Sequence, residues 1–155
     1  MSNEAIIDLV ALFVAVLVGV GGFYFTIKQM REGNKAKRAE FIAEIISTLR
    51  KDEQIAQTYY QYFEYGSEWY DDGFHLSERE KRVDTLFSYL DYICYLYKNN
   101  CITIQEFGLF KYQIDRVCRN ENTKVYFADL SSITEWGKAP FVFENLIEYS
   151  KQLDE

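Results

Sequence analysis

The chain has 155 residues and a formal net charge of −7 at pH 7, with 21 acidic but only 12 basic residues from Ala39 onward. This balance excludes long nucleic acid as a partner, because affinity for it comes mostly from neutralised phosphates. A small anion can still be held by a few focused cations, especially where a symmetric assembly brings copies of one cation together.

The first predicted element is a helix that spans a lipid bilayer. Residues 9–27 (LVALFVAVLVGVGGFYFTI) carry no formal charge, and a helix of that length matches the ~30 Å hydrocarbon core of a bilayer. Acidic residues precede the segment and basic residues follow it, so the positive-inside rule places the N-terminus outside. We therefore predict a transmembrane anchor over residues 1–30, a basic juxtamembrane collar over 31–38 and a cytosolic domain over 39–155.

A cleaved signal peptide is the alternative reading of this apolar segment. It would require a basic region before the segment and a small-x-small cleavage site after it, whereas acids precede the segment here and lysines follow it.

Small residues recur every four positions on one face of the anchor, at Ala11, Ala15 and Gly19. Such residues let helices approach closely in lipid, where packing drives association. This face predicts a homo-oligomer, although alanine and glycine are also ordinary residues of membrane helices.

Apolar residues at helical spacing predict an all-α cytosolic helical bundle after the collar. The first predicted helix runs from about Lys37 to Tyr65, with a break from the anchor at Gly33-Asn34 and an end at Gly66. The acidic, aromatic segment over residues 67–75 (SEWYDDGFH) is expected to be an irregular surface loop.

Two capping boxes then predict two further helices. Ser77 with Glu80 begins a helix that ends at Asn99-Asn100, and Thr103 with Glu106 begins the next. The segment KVYFADL, residues 124–130, fits either a short helix or a short strand.

A final helix is expected to begin at Ala139-Pro140, because proline suits a first helical turn.

No catalytic or metal-binding constellation is found in the sequence. The three cysteines (Cys94, Cys101 and Cys118) have no CxxC spacing and are expected to be buried apolar groups, and His75 is the single histidine. Phosphate-loop, dinucleotide-binding and GxSxG motifs are absent. We therefore predict a protein that is not an enzyme, with no catalytic residue, no metal and no cofactor.

Two cationic clusters are candidate sites for an anionic ligand, with a solvated helix end as the ordinary alternative. The first choice surrounds an amide-rich segment and consists of Arg116, Arg119, Asn120 and Lys124. The second choice lies in the first turn of a helix, where the dipole favours anions, and consists of Arg79, Lys81 and Arg82.

Seven aromatic residues lie between Tyr59 and Tyr70. Aromatic rings can stack on bases, but at helical spacing they more often fill a core or an interface, and we expect that role here.

The segment Arg79 to Phe110 (REKRVDTLFSYLDYICYLYKNNCITIQEFGLF), preceded by a tyrosine-rich helix ending in EYG, resembles small bacterial one-pass membrane proteins with a helical cytosolic domain. Proteins of this layout occur among phage-defence effectors, including membrane-anchored ancillary effectors of type III CRISPR systems that sense cyclic oligoadenylates. The resemblance implies a bacterial inner membrane location and a sensing domain that assembles as an oligomer. It identifies no ligand motif residue by residue.

With these features, the resemblance implies a membrane-anchored antiviral-defence effector. Its cytosolic domain would bind a cyclic oligoadenylate-type nucleotide messenger and act on the bilayer through oligomerised helices. The alternative is a non-catalytic membrane scaffold that recruits a cytosolic protein partner through its aromatic surface.

Overall fold

The computed structural model describes residues 29–30, 32–135 and 142–153, and all regular structure in these ranges is helical. The predicted all-α helical bundle is therefore confirmed for this part of the chain. The described residues up to Glu44 belong to one compact unit, and those from Ile45 onward belong to a second.

The predicted membrane span, together with Ala11, Ala15 and Gly19, lies outside the described residues. Within the described ranges, no helix has the length and apolar character needed to cross a membrane. The boundaries of the anchor and of the collar stay predictions.

Helix α1 covers residues 32–51 and contains part of the predicted basic collar, with Lys35 and Lys37 exposed. The predicted break at Gly33-Asn34 is wrong, because the helix continues through both residues. A glycine costs a helix only about 1 kcal/mol relative to alanine, which is too little by itself to end one.

The chain leaves the α1 helix at Asp52, which our sequence analysis placed inside one long helix. Asp52 has an extended backbone, and its Oδ1 accepts a hydrogen bond from the Ile55 amide at 3.0 Å, so it caps helix α2, Glu53–Thr58. Helix α2 passes directly into a π-helix, Tyr59–Glu64. Gly66 follows with a φ of 74°, and the predicted end at this residue is confirmed.

The segment over residues 67–75 is irregular and mostly exposed, as predicted, but two of its aromatic side chains are not at the surface. Trp69 and Phe74 have no solvent exposure, and their ring centroids lie 5.2 Å apart. Trp69 also packs against Phe63, Phe87 and Tyr126, with centroid distances of 5.7 to 5.9 Å. The segment therefore supplies the centre of an aromatic core.

Helix α3, Glu78–Lys98, packs against α2, α4 and α6. Ser77 caps it as predicted, accepting a hydrogen bond from the Glu80 amide at 3.1 Å. The second bond of the predicted capping box is not formed, because the Glu80 carboxylate accepts from the Leu76 amide and the Ser77 amide donates to the Phe74 carbonyl. The predicted end of α3 is confirmed, since the chain turns at Asn100 with a φ of 56°.

Helix α4, Ile104–Cys118, begins with the predicted capping box of Thr103 and Glu106. Helix α5, Glu121–Glu135, follows after two residues and includes residues 124–130, so the ambiguous segment is helical. The buried cysteines of the prediction are confirmed for Cys94 and Cys118, whereas Cys101 is exposed.

Helix α6, Glu144–Leu153, is the final described helix, and the predicted start at Ala139-Pro140 lies outside the described residues. Asp91 of α3 caps it: Oδ1 accepts a hydrogen bond from the Leu146 amide at 2.9 Å, and Oδ2 accepts one from Asn145 Nδ2 at 3.2 Å. A side chain of one helix thus fixes the start of another, which ties α6 to α3.

Candidate functional site

An open groove of about 460 Å³ lies beside the C-terminal end of the π-helix. It is lined by side chains of the π-helix, of α4 and of the α4–α5 connection, namely Phe63, Tyr112, Asp115, Arg116, Arg119 and Asn120. Three of the four first-choice residues from the sequence analysis therefore meet at one concave surface.

Arg119 is held at the end of α4, where its backbone amide donates a hydrogen bond to the Asp115 carbonyl at 2.9 Å. Its side chain is exposed, and among the described residues no hydrogen bond or ion pair of its guanidinium is found. Arg119 therefore presents a positive charge and its donors to the groove.

Asn120 lies next to Arg119 and acts as the cap of α5. Its Oδ1 accepts a hydrogen bond from the Thr123 amide at 3.2 Å, and its carbonyl accepts one from the Lys124 amide at 3.1 Å. The side-chain oxygen is therefore used by the fold.

Arg116 connects α4 to the C-terminal end of the π-helix. Its Nε donates a hydrogen bond to the Phe63 carbonyl at 2.7 Å, and its Nη2 donates one to the Glu64 carbonyl at 3.1 Å. The Nε atom also lies 3.1 Å from Oε2 of the Glu64 carboxylate. Because the last carbonyls of a helix have no partner within the helix, the guanidinium satisfies groups that would otherwise be unpaired.

The Glu64 carboxylate is also approached by two phenols. Tyr59 donates a hydrogen bond to Oε2 at 3.2 Å, and the Tyr112 hydroxyl lies 3.4 Å from both carboxylate oxygens. Burial, and next the negative charge of Glu64, raise the pKa of Tyr59 well above its usual value. The Tyr59 phenol therefore stays neutral and remains a donor.

Asp115 brings a negative charge to the groove, but this charge is balanced locally. Lys111 Nζ lies 2.5 Å from Oδ2, and the Tyr149 hydroxyl donates a hydrogen bond to Oδ1 at 2.7 Å. Burial, followed by the hydrogen bond to Asp115, raises the pKa of Tyr149 to about 12. With Asp115 paired to Lys111 and Glu64 paired to Arg116, the charge of Arg119 is left to dominate the groove.

Lys124, the fourth first-choice residue, does not line the groove. Its Nζ lies 3.9 Å from Glu121 Oε1, one helical turn away on α5. Its predicted role in ligand binding stays a prediction.

Two of the three cations in the second-choice cluster are paired with carboxylates. Arg79 donates a hydrogen bond to Asp71 at 2.6 Å, and Lys81 donates one to Glu78 at 2.5 Å. Arg82 lines a separate cleft of about 360 Å³, together with Glu53, Gln54, Gln57, Thr58 and Glu78. Two carboxylates accompany the single cation there, so this cleft suits an anion less well than the Arg119 groove.

Phe63, Glu64 and Tyr112 belong to the site but were not predicted as ligand residues. Arg116 and Glu64 are 52 positions apart, and no local pattern indicates that they meet. The dense aromatic segment around Tyr59 is a signal that this part of the chain is unusual, but its helical spacing favours a core or an interface.

Comparisons with protein-family models, with curated proteins and with solved structures give no match to this chain. The resemblance to phage-defence membrane proteins therefore stays a prediction.

Proposed function

We propose that the chain is a non-enzymatic, membrane-anchored antiviral-defence effector of the bacterial inner membrane. Its helical domain binds a small anionic nucleotide messenger of the cyclic oligoadenylate type. Ligand binding acts on the bilayer through oligomerised transmembrane helices. The single observation that supports the messenger site is the exposed guanidinium of Arg119 beside the exposed ring of Tyr112 in one groove.

These two side chains match the two chemical parts of a nucleotide. A guanidinium forms charge-assisted hydrogen bonds to phosphate oxygens, and the Tyr112 ring, 58% exposed, offers a face on which a base can stack. The groove volume falls within the ~300–1,000 Å³ typical of ligand pockets. A larger cyclic messenger would contact the same groove on several symmetric copies, in keeping with the proposed homo-oligomer.

A scaffold that recruits a cytosolic protein is the second candidate. It is favoured by a separate open groove of about 370 Å³, lined by Ala56, Gln57, Tyr60, Gln61 and Tyr65. Tyr60 and Tyr65 are exposed on it, with ring centroids 6.1 Å apart. Exposed tyrosines are typical of protein interfaces.

Calorimetric titration of the full chain in detergent micelles with cyclic tetra-adenylate tests the first proposal. Arg119→Ala should weaken binding by about 10- to 100-fold, because a hydrogen bond to a charged group contributes about 1.5–3 kcal/mol. The helical circular dichroism should be unchanged, as for most surface substitutions.

Lys151→Ala is the matched control, since Lys151 is an exposed cation of α6 that does not line the groove. It should bind almost as tightly as the unmodified chain. Unchanged affinity of Arg119→Ala, or no binding by the unmodified chain, would contradict the proposal.

A further inference from the structure

The carboxylate of Glu64 is the anion that Arg116 holds at the edge of the groove, with Nε and Oε2 3.1 Å apart. The Arg116 side chain is 41% exposed and that of Glu64 is 30% exposed. Arg116 also lines the groove. A ligand bound beside Arg119 can therefore reach the guanidinium of Arg116 without opening the core.

We infer that the Glu64 carboxylate competes with the anionic ligand for Arg116. The carboxylate helps to hold the Arg116 guanidinium on the π-helix, and a ligand phosphate displaces the carboxylate from it. This inference rests on the proposed function, because it concerns the same groove and the same class of ligand. It adds a specificity-determining residue, Glu64, that the sequence analysis did not consider.

The competition follows from the number of acceptors around one guanidinium. Arg116 already serves the carbonyls of Phe63 and Glu64 and the Glu64 carboxylate. A phosphate offers more acceptor oxygens than a carboxylate does, and it matches the planar guanidinium in a bidentate geometry. Charge-assisted hydrogen bonds are about twice as strong as those to neutral acceptors. A bidentate phosphate therefore competes for the Arg116 guanidinium with both carbonyls as well as with the carboxylate.

Displacement of Glu64 has a consequence for the π-helix. Its wide turn is closed by the Tyr65 amide, which donates a hydrogen bond to the Tyr60 carbonyl at 2.8 Å. When the Arg116 guanidinium binds a phosphate instead, the Phe63 and Glu64 carbonyls lose it as a hydrogen-bond donor. Because π-helical turns are rare and depend on their surroundings, this end of the helix then opens more often. Ligand binding is thereby coupled to the backbone that precedes Gly66.

Glu64→Gln in the full chain tests the competition. Glutamine keeps the size of the side chain and an acceptor for Tyr59, but it removes the charge. Affinity for cyclic tetra-adenylate should rise by about three-fold, the effect that a partly exposed ion pair typically has. Glu148→Gln is the matched control, since Glu148 also pairs with a cation, Lys98, at 2.6 Å but does not line the groove. It should leave the affinity unchanged.

Amide hydrogen exchange of the unmodified chain provides a second measurement that needs no variant. Saturation with cyclic tetra-adenylate should speed exchange of the Tyr65 amide, whereas the Arg119 amide at the end of α4 should not exchange faster. This measurement decides the question if Glu64→Gln fails to fold.

Three results separate the inference from the proposed function. Equal or weaker binding by Glu64→Gln, with Arg119→Ala still impaired, would overturn the competitor role and leave the groove intact. Unchanged exchange at Tyr65 on binding would overturn the coupling. Absence of binding by both the unmodified chain and Glu64→Gln would overturn the proposed function and this inference with it.

Discussion

Trp69→Ala is the substitution that best tests the described fold. The indole has no solvent exposure and contacts rings from the π-helix, α3 and α5, including Phe63, Phe87 and Tyr126. Replacement of a buried tryptophan by alanine typically costs about 3–5 kcal/mol. A domain of this size has a free energy of unfolding of only about 5–15 kcal/mol. The variant should therefore lose a large part of its stability.

Urea unfolding of the full chain in detergent micelles, followed by circular dichroism at the helical band, measures this loss. At about 4 °C per kcal/mol, the melting temperature should also fall by about 15 °C. Tyr65→Ala is the matched control, because Tyr65 belongs to the same aromatic segment but is 78% exposed. It should change the stability by less than about 0.5 kcal/mol.

Trp69→Phe separates packing from hydrogen bonding. Among the described residues, Trp69 Nε1 has no hydrogen-bond partner, so phenylalanine removes no bond and leaves a smaller cavity than alanine does. It should be clearly more stable than Trp69→Ala. Equal losses for Trp69→Ala and Tyr65→Ala would refute the reasoning, because they would show that the Trp69 side chain contributes no more packing than the exposed Tyr65.

Two further predictions concern the ends and the charges of the helices. Asp91→Ala should destabilise the domain by about 1–2 kcal/mol, because it removes the cap on the Leu146 amide. Asp72→Ala, at an exposed carboxylate, should have almost no effect, and equal losses in urea unfolding would contradict the capping role. Because the pKa of Tyr149 is raised to about 12 in the folded chain, the unfolded phenol ionises first, and stability should fall as the pH rises from about 10 to 12. Tyr149→Phe should show a shallower fall in melting temperature over that window, and an identical slope would show that the ionisation of Tyr149 does not carry this effect.

The helix ends that the sequence predicted correctly depend on neighbouring residues. Ser77 bonds the amide of Glu80, Thr103 exchanges bonds with Glu106, and Gly66 adopts the left-handed backbone that ends a helix. Each signal acts within a few positions, so it can be read from the sequence without knowledge of the fold.

The two missed caps differ in character. The cap at Asp52 is local, since its side chain bonds the amide of Ile55, but the apolar spacing continues past it and favours one long helix. The cap that Asp91 provides for α6 joins residues that lie more than fifty positions apart. Tertiary packing decides this second cap, and local pattern does not report it.

The candidate site could likewise be predicted only in part. Arg116, Arg119 and Asn120 could be grouped because they are close in sequence, and the structure brings all three to one groove. Closeness in sequence does not reveal their electrostatic roles. Arg116 is committed to carbonyls of the π-helix, whereas Arg119 is exposed, and this difference depends on Glu64 at a distant position.

The segment over residues 67–75 shows that one loop can combine exposed acids with buried aromatic rings. Acids in and just after the segment accept hydrogen bonds from exposed backbone amides. The Gly73 amide donates to Asp71 Oδ1 at 2.9 Å, and the Leu76 amide donates to Glu80 Oε2 at 2.5 Å. The Phe74 amide also donates a hydrogen bond to the Asp71 carbonyl at 2.9 Å, so Asp71 shapes the turn that leads into Phe74. Asp71 is therefore exposed, as its charge predicts, and at the same time it helps to bring the Phe74 ring to 5.2 Å from the Trp69 ring in the core.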